Sequence, residues 1–211
     1  MNCYVLAGGR SRRMGRSKPE LFLDRVTAAA RAAFDDVIVV DRPSECGGLP
    51  PPWIAGACPR GGSELPHSRA AASRRTPLIH EPPHEGDGPV FGMHAALQHA
   101  QHGRCFILAV DYPLITPEVL LYLRERGGVP TWRDEPQLLC AVYDTELLPL
   151  IESRIARQQL DLRGLLGEAR IAMIPESELR ARFSGEPLLN VNTPADLEEA
   201  KAIDERVLAS R

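Results

Sequence analysis

A chain of 211 residues, 44% hydrophobic and 25% charged, has an ordinary globular composition and enough length to bury a core without disulfide or metal staples. Its net charge of −3 offers no general basic face for nucleic acid or a membrane surface. No apolar run reaches the roughly 20 residues of a membrane span, and the N-terminus has neither a basic n-region nor a long apolar h-region, so a cytoplasmic protein is expected.

Apolar runs alternate with helical patterns, which predicts βα units around a mainly parallel sheet. The first strand covers residues 3–7 and leads into a Gly/Arg loop. Phe22, Val26, Ala29, Ala30 and Ala33 then line one face of a helix, and residues 37–40 read as the second strand. Residues 43–89 hold ten of the 19 prolines, so this stretch is expected to be an irregular region within a single domain spanning 1–211. Inside it a short helix at 69–74 and a short strand at 78–79 are predicted. Residues 91–102 read as a helix stopped by Gly103. Residues 105–110 are apolar throughout, as a central parallel strand should be, and end at Asp111-Tyr112-Pro113. Thr116-Pro117-Glu118 opens the next helix with a cap hydroxyl, a proline and an acid, and Gly127-Gly128 closes it. Strands are predicted at 138–143, 171–174 and 188–191. Thr193-Pro194-Ala195-Asp196 opens a last helix carrying Leu197, Ala200, Ile203 and Val207.

The five cysteines (Cys3, Cys46, Cys58, Cys105, Cys140) are odd in number and form no C-x-x-C pair, which fits a reducing compartment and core positions. Only two of the 25 basic residues are lysines, Lys18 and Lys201. A point charge at Lys18 therefore stands out in a chain that otherwise prefers arginine. All six histidines lie between His67 and His102. His80-x-x-x-His84 has a metal-like spacing, but Pro82-Pro83 forbids the helix that would put both on one face.

The loop after the first strand runs Gly8-Gly9-Arg10-Ser11-Arg12-Arg13-Met14-Gly15-Arg16-Ser17-Lys18. Glycines after a strand let backbone N–H groups approach an anion, and the arginines and lysine add charge, so phosphate is the natural guest. It is not a Walker A loop, because Gly15 is followed by Arg16, nor does it carry G-x-G-x-x-G.

Leu6-Ala7-Gly8-Gly9-x-Ser11-x-Arg13-Met14-Gly15-x-x-Lys18 resembles the signature of nucleotidyltransferases that attach NMP to a phosphorylated acceptor. The Leu-Ala-Gly-Gly form resembles the molybdenum cofactor guanylyltransferase family. Gly88-Pro89-Val90-x-Gly92-Met93, Asp111-Tyr112-Pro113, the 137–143 stretch and Asn190-Val191-Asn192-Thr193-Pro194-Ala195-Asp196-Leu197 resemble four further family segments, in family order. The resemblance implies a three-layer α/β/α, Rossmann-like nucleotidyltransferase domain with a mostly parallel sheet. It implies transfer of GMP from GTP to molybdopterin carrying molybdenum, with release of pyrophosphate.

In that reading Asp111 holds Mg²⁺, while Arg13 and Lys18 neutralise charge on the α-phosphate and the leaving pyrophosphate. Leu6, Ala7, Gly8 and Gly9 cradle the nucleotide through their backbone. Glu81, seven residues before Gly88, takes the place of an acidic base- or ribose-contacting residue. Asp41, at the end of the second strand, is a further acidic candidate. Asn190 and Asn192 alternate on a short strand and present both amides to the acceptor, a phosphate or a metal-bound water. Alternatives are cytidylyl or other NMP transfer to molybdopterin or to a sugar phosphate, and a nucleotide-binding homologue without activity. The second glycine of Leu6-Ala7-Gly8-Gly9 favours GTP over CTP. A monomer in transient contact with proteins that donate or accept the molybdenum cofactor is expected, with no nucleic-acid or membrane partner.

One departure from the family pattern is visible. Lys18 is followed at once by Pro19-Glu20-Leu21-Phe22 with no intervening turn, which places Lys18 at a helix N-terminus.

Overall fold

A computed structural model of the chain describes residues 1–8, 18–42, 76–81 and 88–209. The strands β1 (Cys3–Leu6), β2 (Val37–Asp41), β3 (Leu78–His80), β4 (Arg104–Ala109) and β7 (Cys140–Asp144) form one sheet in the order β3-β2-β1-β4-β7. All pairs are parallel except β4–β7, which is antiparallel. A smaller sheet, β6-β5-β8, joins β5 (Val129–Trp132), β6 (Glu135–Pro136) and β8 (Met173–Ile174).

Strand alternation divides the apolar side chains between two cores. On one face Cys3, Val5, Val37, Val39, Phe106 and Leu108 meet Val26 and Ala30 of α1 (Lys18–Ala33) and Val119, Leu120 and Leu123 of α3 (Pro117–Arg126). On the other, Tyr4, Leu6, Ile38, Val40, Cys105 and Ile107 meet Met93, Ala96 and Leu97 of α2 (Val90–Ala100). Ile151 of α4 (Leu148–Ala156) and Leu165 of α5 (Arg163–Glu168) extend that second core. The result is the expected three-layer α/β/α architecture with a mostly parallel sheet. Cys3, Cys105 and Cys140 are buried in it as free thiols. The helices α6 (Glu176–Arg180) and α7 (Pro194–Ala209) complete the described chain. Among the described residues no helix is long and apolar enough to cross a membrane.

Local chemistry accounts for most boundaries. Thr116 Oγ1 accepts from Val119 N at the start of α3, and Gly127, at φ +69°, ends that helix by donating to Leu123 O. Four expectations shift. The strand predicted at 171–174 shrinks to Met173–Ile174, because Ile171 N donates back to Ala169 O. The helix predicted at 91–102 ends at Ala100, because Gln101 already turns to a positive φ of 59° ahead of Gly103. The strand predicted at 138–143 begins only at Cys140, whose N–H is held in a turn by Gln137 O. Residues 188–191 are not a strand: Leu189 N donates to Glu186 O and Val191 N to Asp111 O, so their backbone is spent on a turn and a tether. The helix predicted at 69–74 and His84 lie outside the described residues.

Gly128 is required by close approach. Its φ is +97°, and a Cβ there would lie 2.2 Å from Ala172 O, where β8 runs beside β5. Gly128→Ala is expected to destabilise the fold by about 2–4 kcal/mol in urea unfolding, from strain and backbone displacement together. A loss within about 0.5 kcal/mol would contradict this packing.

Candidate active site

The parallel register Leu6↔Ala109 brings the C-terminal ends of β1 and β4 side by side. Open α/β sheets bind ligands in the crevice beyond such strand ends. Gly8 leaves β1 there, Asp111 leaves β4, and Asp41 and Glu81 stand at the ends of β2 and β3. Lys18 opens α1 at the same edge, where the helix N-terminus favours an anion.

Lys18 Nζ lies 3.3 Å from Asp111 Oδ2 and donates to Asn192 Oδ1 at 2.7 Å. The two charged side chains are mostly enclosed, at 16% and 14% exposure. Burial pushes the Asp111 carboxyl above the usual carboxylate range, and the Lys18 ammonium beside it opposes that rise. Among the described residues, the buried Asp111 Oδ1 has no hydrogen-bond partner. A buried carboxylate oxygen in that state is costly unless a cation or donor meets it.

The 190–193 segment owes its position to two ties. Val191 N donates to Asp111 O at 2.8 Å, which pins the segment to the end of β4. Asp196 Oδ2 accepts from both Asn192 N and Thr193 N at 2.8 Å, and Thr193 Oγ1 accepts from Asp196 N at 3.2 Å. This is a capping box at the start of α7, with an aspartate in the acidic place. Asn192 Nδ2 donates to Asn190 Oδ1 at 2.6 Å. The two amides therefore meet as predicted, although the backbone beneath them is irregular and not a strand.

Glu81 is buried against glycines. Its Oε1 lies 3.1 Å from the place of a Gly8 Cβ and 3.0 Å from that of a Gly92 Cβ. Any side chain at either position would crowd the carboxylate. Glu81 N donates to Asp41 O at 2.9 Å, and Asp41 is itself buried. Burial raises the Asp41 carboxyl above its ordinary range, with the Arg42 backbone N–H acting against it. Two carboxylates thus share the β2–β3 end of the edge.

Ala7 N donates to Val40 O at 2.9 Å, so that N–H belongs to the sheet and not to a ligand cradle. Val110 N likewise donates to Leu6 O, and the Leu6 side chain packs in the core. Of the backbone from Leu6 onward, the Leu6 carbonyl and the Ala7 N–H are thus taken up by the sheet. Gly9 and Arg13 lie outside the described residues. Asp196 was legible only as a helix opener, although its four-residue spacing from Asn192 is a capping signal. Tyr112 and Gln137 were not singled out. Tyr112 is buried beside Asp111, and its hydroxyl donates to Gln137 Oε1 at 3.1 Å.

A mostly parallel open sheet with a lysine, a carboxylate and two amides gathered beyond its central strands defines a nucleotidyltransferase. Residues 3–173 match the MobA-like NTP transferase domain model, and the chain belongs to that family. A Pelotomaculum thermopropionicum protein named "Probable molybdenum cofactor guanylyltransferase" is 30% identical over 219 residues, covering 98% of this chain and 95% of that one. Molybdopterin-guanine dinucleotide biosynthesis protein A from Archaeoglobus fulgidus superposes with a TM-score of 0.71 at 24% identity, covering 98% of this chain and 100% of its own. A Mycobacterium tuberculosis H37Rv protein crystallised with manganese shares the fold at a TM-score of 0.55 and 15% identity, covering 94% of this chain and 95% of its own.

Proposed function

We propose that this protein transfers GMP from GTP to molybdopterin carrying molybdenum, releasing pyrophosphate. The observation that carries the reading is the Lys18–Asp111–Asn192 cluster at the ends of β1 and β4. The near full-length relative named for guanylyl transfer onto this cofactor supports the choice of nucleotide and acceptor.

The reaction is an in-line displacement. An anionic phosphate oxygen of the acceptor attacks the α-phosphorus of GTP, a new P–O bond forms, and the bond to the bridging oxygen of pyrophosphate breaks. The nucleophile is already deprotonated, so no general base is needed. Positioning and charge neutralisation supply the catalysis. The Lys18 ammonium, which donates to Asn192, would offset charge on the α-phosphate and the departing pyrophosphate. Glu81, buried between Gly8 and Gly92, would contact the base or ribose. Arg13 would add a second positive charge from the loop.

Asp111 fits a hard divalent cation, because its buried Oδ1 has no other hydrogen-bond partner among the described residues. Among the described residues no group of three or more His, Cys, Asp or Glu side chains could hold a metal ion. Asp111 would hold Mg²⁺, with phosphate oxygens and water filling its shell. When bound, the cation supplies positive charge to the phosphate oxygens.

The test is single turnover with Mg²⁺ and α-labelled GTP or CTP, with and without molybdenum-loaded molybdopterin. Acceptor-dependent labelled dinucleotide from GTP is expected. Product from CTP alone would overturn the guanylyl assignment, and no transfer to this acceptor would overturn the acceptor.

A further inference from the structure

We infer that Asp196 is a positioning residue for the Lys18–Asp111 centre, acting on it through the backbone of Asn192. The kinetic consequence rests on the transfer reading above; the geometry is independent of it. Asp196 Oδ2 accepts from Thr193 N and from Asn192 N, both at 2.8 Å. Asn192 Oδ1 in turn accepts from Lys18 Nζ at 2.7 Å, and Lys18 Nζ lies 3.3 Å from Asp111 Oδ2. Asn192 therefore joins the cap of α7 to the ammonium, with its backbone held by the first and its side chain bonded to the second.

Helix stability alone does not call for this arrangement. A capping box needs the backbone N–H of the N-cap residue, here Thr193, and Thr193 Oγ1 returns the bond by accepting from Asp196 N at 3.2 Å. The bond to Asn192 N reaches one residue further out, beyond the helix. It fixes the backbone at the residue whose amide meets Lys18. Asn192 is exposed, so a water molecule would satisfy its N–H equally well. Water would not fix its direction, and the carboxylate does.

The bodies on either side of Asn192 are themselves anchored. Toward the sheet, Val191 is buried and its N–H donates to Asp111 O at 2.8 Å. Toward the helix, Ala200 lies in the core, and Leu197 and Ile203 pack against it. Further along α7, Asp204 accepts from Arg25 Nη1 and Nη2 at 2.7 and 2.8 Å. Arg25 belongs to α1, the helix that Lys18 opens, so a two-bond guanidinium–carboxylate pair ties α7 to the element carrying the ammonium. Asp196 links these bodies at the point where Asn192 reaches Lys18. Without its carboxylate, Asn192 N and Thr193 N lose their partner and the backbone between Val191 and Pro194 can turn. The Asn192 amide then leaves the ammonium, which is drawn toward Asp111. A displacement of about 1 Å at a reacting centre can cost on the order of a hundredfold in rate.

The experiment compares Asp196→Ala with Asp196→Asn, which lose the same charge. Asparagine keeps an oxygen that can accept from both N–H groups, and alanine keeps none. Asp144→Ala is the control for a lost cap. Asp144 accepts from Glu146 N at 3.0 Å, and it pairs with Arg104, at the opposite end of β4 from Asp111. Asp196→Ala is expected to lower kcat about 10- to 100-fold with the KM for GTP within about threefold. Asp196→Asn should stay within about threefold of the wild-type kcat, because asparagine caps about as well as aspartate. Asp144→Ala should keep kcat. A second readout needs no activity. Nitrogen-15 lysine labelling of the full chain gives two side-chain ammonium signals, Lys18 and Lys201, assigned with Lys201→Arg. The Lys18 signals of Asp196→Ala and Asp196→Asn should lie apart, with that of Asp196→Asn nearer to wild type. If wild type transfers no nucleotide but the Lys18 signals separate in this way, the positioning role stands and the transfer reading fails. A wild-type kcat in Asp196→Ala, an equal loss in Asp196→Asn, or coincident Lys18 signals in the two variants overturns the positioning role.

Discussion

Asp111→Asn is expected to lower Mg²⁺-dependent transfer about a thousandfold or more while leaving the fold intact. In the function proposed above the carboxylate would hold the cation, and an amide of the same shape is a far weaker ligand for a hard divalent ion. The stability consequence runs the other way. Burial holds the folded-state titration of Asp111 above that of the unfolded chain, despite Lys18. The folded protein thus binds a proton more tightly than the unfolded one, and this group's contribution to stability falls as pH rises through that window. Wherever Asp111 is ionised in the folded chain without metal, its charge is a net cost. Asp111→Asn removes it, so its thermal midpoint should equal or exceed that of wild type. Added Mg²⁺ with GTP should raise the wild-type midpoint more than the variant's. Turnover at the wild-type rate, or a midpoint several degrees lower, would remove Asp111 from the centre.

Lys18→Ala should cost on the order of a thousandfold in kcat, and Lys18→Arg should restore little of it. A guanidinium presents a planar fork where the cluster seats a compact ammonium between Asp111 Oδ2 and Asn192 Oδ1. Lys18→Ala also withdraws the positive charge that opposes the rise of the Asp111 carboxyl. The variant should therefore be less stable than wild type at pH 7 by about 1–3 kcal/mol. The sign of the shift says that this deficit closes on acidification, as Asp111 takes up a proton. In the double variant Lys18→Ala/Asp111→Asn, stability should return and activity should not. Denaturant unfolding from pH 7 down to pH 4, alongside single turnover, separates the two effects. A deficit independent of pH would show that Lys18 acts on stability through some other contact.

The parts of the fold that could be read in advance are those where one local signal dominates. β1, and β4 after the exposed Arg104, are apolar because both faces of the sheet are covered. Lys18 and Asp111 could be anticipated because a ligand crevice lies at strand ends and the motif residues fall there. The β5–β6 hairpin was hidden because its turn uses Arg133 and Asp134 at φ 52° and 61°, without the glycine that usually announces such a turn. The short helix α4 was hidden by Arg154. It occupies a core position, where it bonds Asp161 and Glu168, and so interrupts the apolar period. Asn190 and Asn192 were assigned the right company on the wrong backbone, since alternation along a strand and a capped turn can bring two amides equally close. Tyr112 and Gln137 fall within two of the quoted segments, but the hydrogen bond between them joins positions 25 residues apart, which only the folded chain displays.

Lys18 and Asn192 are separated by 174 positions, so the tether of Asn190–Asn192 to Asp111 has a bearing on biogenesis. During synthesis the β1–β4 portion of the sheet can assemble while the segment that seats Lys18 is still absent. A nascent or prematurely ended chain stopping at residue 173 would contain the whole family-matched region and yet lack the anchor for its lysine. Such a chain would carry the Asp111 carboxylate and the Lys18 ammonium without the amides that hold them in register. Catalytic competence is in this sense the last property the growing polypeptide acquires, gained when the beginning of α7 docks against a sheet already in place.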